Sequence, residues 1–504
     1  MGIPATTALI EVQTESGVIS GAMNDGIATF HNVPYAAAPF GERRFEQPGS
    51  VKRWDGPRDA TRTGYGYVQP WRLDDDWNGY LNPRRQGVDM LTLQITTPDA
   101  GSAALPVMVW FHGGGFVSGA GFAPAYRGHG FARDGVVHVS VTYRMSLDGY
   151  TLLEDSIDTA TENLGLRDQI AALDWVQRNI AAFGGDAAKV TIAGQSAGAV
   201  SVGYLLSSPL AVGLFQRAIV ESGFPAMSRS IAEAEKSFGA VELATGRSAT
   251  RAALRSLTLD QSRRAIAELD GDFEGRLTTG RATFANAVFS AVWGTESLPV
   301  PATEGLVSGT GGGIPLLIGN TRDEGSGFVE KMGLLRTENS ASARSIASAM
   351  GASPDAAEIY RAGSRLGAGD GAILNAVFTD VSARMPAISV LTRRAAAGYL
   401  YEFAWQSPGR PVGLGADHVV DLPFAYNDFA GFSSSCPAGD RILGAEPPVQ
   451  LAASMHGAFV DFVATGDPGW APYTTADRIT MRFDTLSEAL SDPAGTERAL
   501  WESQ

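Results

Sequence analysis

Three short segments in the first half of the chain are apolar almost throughout, and an amphipathic segment separates the second from the third. The apolar segments are Val107–Phe111, Val136–Tyr143 and Val190–Ala193. Runs of this kind are typical of strands that are covered on both faces. Between the last two, apolar residues recur at spacings of three and four over 166–183, and Gly184 and Gly185 end this predicted helix. Strand, crossover helix and strand predict an α/β fold with a mostly parallel sheet.

Other segments extend the predicted sheet at both ends. Ile10–Thr14, Val18–Ser20 and Ile27–Phe30 are separated by short turns and predict an antiparallel N-terminal edge. Pro315–Gly319 and Tyr399–Trp405 predict two further strands. The sequence therefore predicts one long sheet that begins antiparallel and continues parallel.

Three stretches interrupt the alternation, at about residues 55–87, 205–292 and 330–397, and they read as helical or irregular. We expect them to form a cap over the carboxyl edge of the sheet, where open α/β sheets bind their ligands. A length of 504 residues allows about three domains. Because no repeat and no Pro- or Ser-rich linker divides the chain, we expect one elaborated domain over residues 1–504.

Charge and cysteine content exclude several classes of protein. The net charge of −15 repels nucleic acid and anionic lipid, so neither is an expected partner. The single cysteine, Cys436, allows neither an internal disulfide nor a zinc site built from cysteine pairs. The N-terminus lacks the pattern of a signal peptide, and the apolar runs are too short to span a bilayer. These features predict a cytoplasmic protein without a metal or other cofactor.

The segment Gly194–Gly198 has the pattern Gly-x-Ser-x-Gly and lies between a predicted strand and a helix-compatible run. A sharp turn there would expose the hydroxyl of Ser196 as a nucleophile, and the glycines leave room for the turn. With 60 glycines in the chain the pattern arises by chance in about half of such sequences, so its context must support it.

A second motif, His112–Phe116, follows the strand Val107–Phe111 and contains three consecutive glycines. Glycines let neighbouring N–H groups point at one place, where they can bind a developing oxyanion. The motif precedes the serine turn, which is the order that serine hydrolases on such sheets require.

A serine hydroxyl needs a base, and the base needs an acid that orients it. The chain order on this kind of sheet is serine, acid, histidine, and His418 and His456 are the histidines that follow the acidic candidates. His418 lies in a glycine-rich loop, whereas His456 lies in a predicted helix, so His418 is the preferred base. Asp323 and Glu324 are adjacent in a turn after a predicted strand, and spacing alone does not decide between them.

These residues, together with several other segments, resemble the type-B carboxylesterases, a group of α/β-hydrolases that includes bacterial esterases and the cholinesterases. The resemblance covers nearly the whole chain and is greatest for cytosolic bacterial members. The segments that carry it are Phe30–Ala36, Arg44–Phe45, His112–Phe116, Asn163–Gln169, Asn179–Asp186, Asp323–Gly325, His418 and Leu422–Phe424.

The resemblance implies an α/β-hydrolase fold with helical cap insertions and a serine carboxylesterase that works through an acyl-enzyme. It implies Ser196 as nucleophile, His418 as base and Glu324 rather than Asp323 as the acid. It also implies that Gly114, Gly115 and Ala197 supply the N–H groups of the oxyanion hole.

Several positions depart from the family pattern, including Met145, Ser146 and Trp293. Gln195 replaces the glutamate that usually precedes the serine, which removes a negative charge beside the base. Met90 stands where secreted relatives have a disulfide cysteine, in agreement with a cytoplasmic enzyme. Val88 stands where the family has a glutamate that pairs with an arginine like Arg44, so we expect that ion pair to be absent.

The substrate pocket is only partly readable from aromatic residues near the predicted site, each of which could equally pack in the core. Its candidate lining residues are Trp71, Trp77, Tyr80, Phe116, Phe284, Phe289 and Trp293. The expected partner is a small-molecule ester.

Two alternatives to an esterase remain open. The same triad could hydrolyse carbamates or aryl amides, and a cholinesterase-like domain could serve as a non-catalytic binding or adhesion module. The natural substrate, the enantioselectivity and the oligomeric state do not follow from the sequence, although a monomer is the preferred expectation.

Overall fold

The computed structural model describes residues 8–70, 83, 85–101, 103–224, 226–270, 288–308, 311–353, 356–363, 366–408, 414–436 and 438–502. Its strands are β1 Ala8–Thr14, β2 Gly17–Asn24, β3 Ile27–Pro34, β4 Arg58–Asp59, β5 Thr92–Thr97, β6 Leu105–Phe111, β7 Val137–Val141, β8 Gly185–Gln195, β9 Arg217–Glu221, β10 Arg229–Ser230, β11 Val292–Trp293, β12 Leu316–Thr321, β13 Gly398–Phe403, β14 Ile479–Phe483 and β15 Glu488–Ser491.

The α-helices, also numbered along the chain, are α1 His129–Arg133, α2 Ser146–Gly149, α3 Leu164–Asn179, α4 Ala197–Ser207, α5 Ile231–Glu235, α6 Phe238–Thr245, α7 Arg251–Leu254, α8 Leu259–Asp270, α9 Ala302–Ser308, α10 Ser326–Lys331, α11 Ala341–Ala349, α12 Ala356–Gly363, α13 Asp370–Thr379, α14 Met385–Arg393, α15 Leu422–Ala425, α16 Phe429–Ser435, α17 Gly439–Leu443, α18 Val449–Thr465 and α19 Gly495–Glu502. Short 3-10 turns cover Gly41–Arg43, Pro124–Tyr126, Ile180–Phe183 and Pro209–Ala211, and a π-helical turn, Asp380–Arg384, joins α13 to α14.

One sheet of 13 strands organises the molecule. Its strands follow the order β1-β2-β3-β5-β7-β6-β8-β9-β12-β13-β14-β15, and β4 pairs with β2. Along this order every pairing from β7 to β14 is parallel. The strands β1, β2, β3 and β5 form an antiparallel edge, β4 pairs parallel with β2, and β15 is antiparallel to β14. The predicted fold, mostly parallel with an antiparallel N-terminal edge, is confirmed.

Helices cover both faces of the sheet, as the continuous apolar strands predict. Val107, Val109 and Phe111 of β6 point into a core that includes residues of α3 and α4, such as Leu173. The alternate residues Met108 and Trp110 belong to a second core with residues of α1 and α18. Because successive side chains of a strand face opposite sides, a strand buried on both faces must be apolar at every position.

Some strands of the sheet give no clear sequence signal. Thr92–Thr97 (β5) is buried throughout although half of it is threonine, and Arg217–Glu221 (β9) is short and bounded by charged residues. The predicted insertion at 205–292 therefore includes a central strand of the sheet, β9, and only the part after β9 can lie outside the sheet.

The remaining parts of the predicted insertions are largely helical. After β9, residues 226–270 and 288–292 form α5 to α8 and the small parallel sheet of β10 and β11. The stretch 330–397 is helical over most of its described residues. In 55–87, β4 pairs with β2, and Gly66 bridges to Gln86. Within the described ranges, none of the helices has the length and apolar content that crossing a bilayer requires.

Candidate active site

The predicted site residues follow neighbouring strands of the parallel sheet. Gly114 comes after β6, Ser196 after β8 and Glu324 after β12, and His418 lies in the loop that follows β13. Because parallel strands end at one edge, this order along the sheet brings the four residues to one place. The structure therefore assembles the predicted nucleophile, acid, base and oxyanion loop at the carboxyl edge.

Ser196 occupies a strained turn between β8 and α4. Its backbone has φ 57° and ψ −125°, and its N–H donates to Glu221 O at 3.0 Å. A Cβ on Gly198 would come 1.9 Å from Phe111 O, so this position tolerates no side chain. Glycine thus lets the turn close against β6 while Ser196 itself stays partly exposed among buried neighbours.

His418 and Glu324 form a short hydrogen bond. His418 Nδ1 lies 2.5 Å from Glu324 Oε2, and Glu324 Oε1 accepts the N–H of Thr321 at 2.8 Å. The Glu324 side chain is fully buried, whereas that of His418 is 13% exposed. A carboxylate can only accept, so Nδ1 carries the proton and Nε2 is free to act as a base.

Burial alone would lower the pKa of His418, but the nearby charge and hydrogen bond of Glu324 outweigh it, and Asp417 and Asp421 add to their effect. The pKa of His418 is consequently raised above its ordinary value. The carboxylate thus stabilises the imidazolium that forms when the base takes a proton.

Asp323, the rival of Glu324, has different partners. Its Oδ2 accepts the N–H of Ala416 at 2.9 Å, and its own N–H donates to Ala416 O at 3.0 Å. These bonds tie the turn after β12 to the loop that carries His418. Glu324 is the carboxylate that contacts the base, and Asp323 fixes the loop on which the base lies.

The glycine loop after β6 adopts conformations that favour glycine. Gly114 has φ 117° and Gly115 has φ 66°, and a Cβ on Gly114 would lie 1.9 Å from Ser118 O. Among the described residues, the N–H groups of Gly114, Gly115 and Ala197 donate to no other group. They are therefore available to a ligand oxygen near Ser196.

Buried polar residues hold the glycine loop in place by hydrogen bonds to its backbone. Tyr143 Oη donates to His112 O at 2.7 Å, and the two rings stack at 4.6 Å. Ser146 donates to Phe116 O from both its N–H and its Oγ, at 2.8 and 2.9 Å. Burial lowers the pKa of His112 to about 4, so this histidine is neutral and serves the loop's structure.

Two buried carboxyl groups, those of Glu221 and Asp421, lie close to the base and its acid. Burial, together with the charge of Glu324, raises the pKa of Asp421 to about 7. Burial and the neighbouring Asp421 hold the pKa of Glu221 well above its usual range. Because two such groups cannot both ionise readily, the pair retains a proton under conditions in which exposed carboxyls have lost theirs.

Two phenylalanines that the sequence analysis did not identify flank the base. The ring centroids of Phe224 and Phe328 lie 5.7 and 6.0 Å from that of His418. Phe224 follows β9, and Phe328 lies one helical turn after Glu324. Each residue follows a strand at the carboxyl edge of the sheet, and this position is the sequence signal that could have identified it. For Phe224 the signal is hidden, because the sequence does not predict β9.

The predicted pocket residues are distributed differently. Phe116 is fully buried and packs on Tyr150 and Tyr204, with ring centroids 4.2 and 6.0 Å apart, so it supports the glycine loop. Phe289 is 3% exposed, and Trp293, on β11, is partly buried. Trp71, Trp77, Tyr80 and Phe284 lie outside the described residues. A pocket-lining role for these residues stays a prediction.

Other sequence expectations concern residues around the site. Val88 is 44% exposed and Arg44 pairs instead with Asp148, at 2.8 Å in the interior. His456 is buried in α18, where its nitrogens contact Ala425 O at 2.7 Å and an Asp134 oxygen at 2.9 Å. His456 is thus a packed histidine, as predicted. Among the residues that the structure describes, no three His, Cys, Asp or Glu side chains are grouped so that they could hold a metal ion.

The sheet topology and the strand-turn-helix at Ser196 define the class of this protein as an α/β-hydrolase. The family model described as the carboxylesterase family matches residues 8–498. The chain therefore belongs to the carboxylesterase family, and it is a serine hydrolase of carboxylic esters.

Individual relatives agree with this assignment. The chain is 31% identical to the para-nitrobenzyl esterase of Bacillus subtilis (strain 168), over 97% of each protein. It is 30% identical to the phenmedipham hydrolase of Pseudarthrobacter oxydans, over 90% of each. A solved carboxylesterase from Geobacillus stearothermophilus superposes with a TM-score of 0.83 and 32% identity, covering 97% of this chain and 99% of that one.

Proposed function

We propose that Ser196, His418 and Glu324 are the catalytic triad of this carboxylesterase, and that the N–H groups of Gly114, Gly115 and Ala197 form its oxyanion hole. The observation that carries the proposal is the 2.5 Å hydrogen bond between Glu324 and His418 beside a serine in a strained strand-to-helix turn. This combination is what an activated serine nucleophile requires.

In the first half of the reaction, Ser196 Oγ attacks the ester carbonyl and His418 Nε2 takes its proton. The new C–O bond turns the carbonyl oxygen into an oxyanion, which accepts hydrogen bonds from the three N–H groups. The bond to the alcohol then breaks, and the alcohol leaves with the proton from His418. An acyl group remains on Ser196.

In the second half, water replaces the alcohol. His418 takes a proton from the water as its oxygen attacks the acyl carbonyl, and the same N–H groups bind the second oxyanion. Collapse of this intermediate releases the carboxylic acid, and His418 returns its proton to Ser196. Glu324 stabilises the imidazolium in both halves.

We propose that the substrates are small esters with an apolar acyl or aryl part. Phe224 and Phe328 flank His418 and offer apolar ring surface beside the reacting atoms. Hydrolysis of carbamates or aryl amides would use the same groups, and no contact among the described residues favours it over ester hydrolysis.

We further propose that the protein is one domain, with the helical segments after β9 and at 330–397 as a cap, and that it acts in the cytoplasm as a monomer. The continuous 13-stranded sheet supports one domain. With Cys436 as its single cysteine, the chain forms no internal disulfide, so its fold needs no oxidising compartment. Among the described residues, the most exposed large apolar side chains are Leu9 on β1, Leu243 on α6 and Leu486 between β14 and β15.

The proposed nucleophile is tested by Ser196→Ala, with Ser207→Ala at the far end of the same helix as its matched control. In the described part of the chain, the Ser207 hydroxyl bonds to Gly203 O and Ala302 O, so we expect its removal to leave the site intact. We expect Ser196→Ala to lower kcat for short acyl nitrophenyl esters by about 10⁶-fold, with an unchanged melting temperature. Wild-type turnover in Ser196→Ala would refute the assignment.

Labelling by a fluorophosphonate separates the enzymatic function from a non-catalytic one. We expect one label per chain, on Ser196, and none in Ser196→Ala. Unlabelled wild-type protein would indicate the non-catalytic binding module instead. A panel of acyl chain lengths with aryl, alkyl, carbamate and amide leaving groups then defines the substrate: the proposal requires that apolar esters turn over faster than the matched carbamates and amides.

A further inference from the structure

The side chain of Gln195 lies between the oxyanion loop and the base. Its Nε2 is 3.3 Å from His418 Nε2, and a Cβ on Gly113 would come 2.9 Å from its Oε1. Gln195 is fully buried, although it is the last residue of β8 and immediately precedes Ser196. No other described side chain makes a hydrogen bond to the nitrogen of His418 that must receive the serine proton.

The chemistry of the two facing nitrogens fixes the direction of this bond. An amide nitrogen can only donate, so His418 Nε2 must be the acceptor and carry a lone pair. Glu324 makes the complementary demand from the other side of the ring, since its carboxylate requires a proton on Nδ1. Both contacts therefore select the same tautomer, the one in which Nε2 can take a proton from Ser196.

The free-energy cost of burying this amide indicates that its hydrogen bond to His418 has a function. Within the described part of the chain, Gln195 Oε1 has no hydrogen-bond partner. A buried polar atom without a partner destabilises a fold, and an apolar side chain of similar length, such as methionine, would avoid that cost. The bond to His418 is the one polar interaction of the side chain that the structure records.

We propose that Gln195 is a positioning residue for the base, whose amide N–H donates to His418 Nε2 and holds the neutral imidazole in the tautomer that accepts the Ser196 proton. This inference rests on the proposed function of Ser196 and His418. The bond is long, so a bound substrate and Ser196 can replace it during the reaction without a large barrier.

Because negative charges surround the base, the hydrogen bond from the neutral Gln195 amide affects the pH at which His418 becomes protonated. The carboxyl groups that face His418 are Glu324 from the turn after β12 and Asp417 and Asp421 from its own segment, and Glu221 of β9 lies beside Asp421. Glu324, Asp417 and Asp421 favour a protonated base. Gln195 acts in the opposite direction, because it binds the neutral form, and so it extends the activity to lower pH.

The test compares Gln195→Glu and Gln195→Met with the wild-type enzyme. We expect Gln195→Met, which loses only the donor, to move the acid limb of the kcat/KM profile up by about half a pH unit. Gln195→Glu also adds a negative charge, so its limb should move up by about one unit or more. The position of the limb is the readout, since a merely structural role would lower the plateau and leave the limb in place.

Gln177→Glu is the matched control. Gln177 donates to Ala187 O and Leu214 O. Ala187 lies near the other end of β8, about 25 Å from Gln195 at the rise of a β-strand. The same change of amide to carboxylate there should leave the limb where it is. If Gln195→Met and Gln195→Glu leave the limb within 0.2 unit of wild type, or move it down, the proposal is wrong.

Failure of this inference is distinguishable from failure of the proposed function. Fluorophosphonate labelling of wild-type Ser196 tests the nucleophile directly and does not depend on Gln195. If Ser196 is labelled and the acid limb of the kcat/KM profile does not move in the Gln195 variants, the proposed triad is supported and the positioning role of Gln195 is wrong. If Ser196 is not labelled, both fall.

Discussion

The adjacent acids Asp323 and Glu324 allow a sharp test, because they make the same kind of side-chain bond to different partners. In Glu324→Gln, the amide oxygen keeps the bond from the Thr321 N–H, which lies 2.8 Å from Oε1. The amide nitrogen then faces His418 Nδ1, where the carboxylate oxygen lay at 2.5 Å. Two donors cannot share that position, so the imidazole must lose its Nδ1 proton.

The magnitude follows from this change of tautomer. A proton moved to Nε2 occupies the lone pair that should receive the proton of Ser196, and the imidazolium also loses its negative partner. Changing the carboxylate of a triad to an amide lowers turnover by about 10⁴-fold, which corresponds to about 5.5 kcal/mol of transition-state stabilisation. The fold should not suffer, because Glu324 is buried beside the carboxyls of Asp421 and Glu221, which gain from the loss of its charge.

Asp323→Asn is the matched control one residue away. Its side chain accepts the Ala416 N–H at 2.9 Å, whereas the short bond to His418 Nδ1 comes from Glu324. Loss of its charge should cost about 1–3 kcal/mol of stability and leave kcat/KM within tenfold of wild type.

The assay is kcat/KM for a short acyl nitrophenyl ester as a function of pH, together with the melting temperature of each variant. The residual activity of Glu324→Gln should also show an acid limb at lower pH, because the carboxylate that raises the pKa of His418 is gone. Activity of Glu324→Gln within tenfold of wild type would refute the reasoning. So would a loss of about 10³-fold or more in Asp323→Asn without a fall in melting temperature.

Two further predictions concern the oxyanion loop and the buried carboxyl pair. Gly114→Ala should lower kcat by about 10²–10³-fold, because its Cβ would lie 1.9 Å from Ser118 O at φ 117°. A Cβ on Gly115 meets open space, so Gly115→Ala is the comparison. Steady-state kinetics of the two variants checks this prediction, and equal losses of kcat would contradict it. The folded pKa of Asp421, about 7, exceeds the unfolded value of about 3.9, so the folded state binds more protons between these values and loses stability as pH rises through them. Asp421→Asn should remove this loss, which urea unfolding at pH 5 and pH 8 measures; an unchanged pH dependence would count against it.

The fold could be predicted where a strand is apolar throughout, and could not where burial and composition disagree. β6 is recognisable because helices cover both of its faces and all of its side chains are apolar. Thr92–Thr97 (β5) is as deeply buried, yet Thr96 and Thr97 satisfy their hydroxyls with backbone oxygens, of Arg127 at 2.7 Å and of Phe183 at 2.9 Å. Such partners lie far away along the chain, so local composition cannot reveal them.

The candidate site was predictable where the chemistry lies in one short segment. The serine turn and the glycine loop each need their glycines for reasons that a local sequence already contains. Phe224 and Phe328 reach His418 only because β9, β12 and β13 are neighbours in the sheet. Arg44 likewise finds Asp148, 104 residues away, where the family pattern had suggested a different partner. Contacts between residues so far apart in the sequence depend on the order of strands in the sheet, which the spacing of residues along the chain does not reveal.

The turn after β12 shows why two adjacent acids could not be ranked by their position. Asp323 and Glu324 are both fully buried, and both accept a backbone N–H, so neither burial nor hydrogen bonding distinguishes them. What separates them is direction: Asp323 binds the backbone of the loop at Ala416, two residues before His418, while Glu324 binds the imidazole itself. The base is thereby held by its backbone through one acid and by its ring through the other. Loss of the Asp323 charge should therefore act mainly on the stability of the loop, whereas loss of the Glu324 charge should act on the Nδ1 proton and so on catalysis.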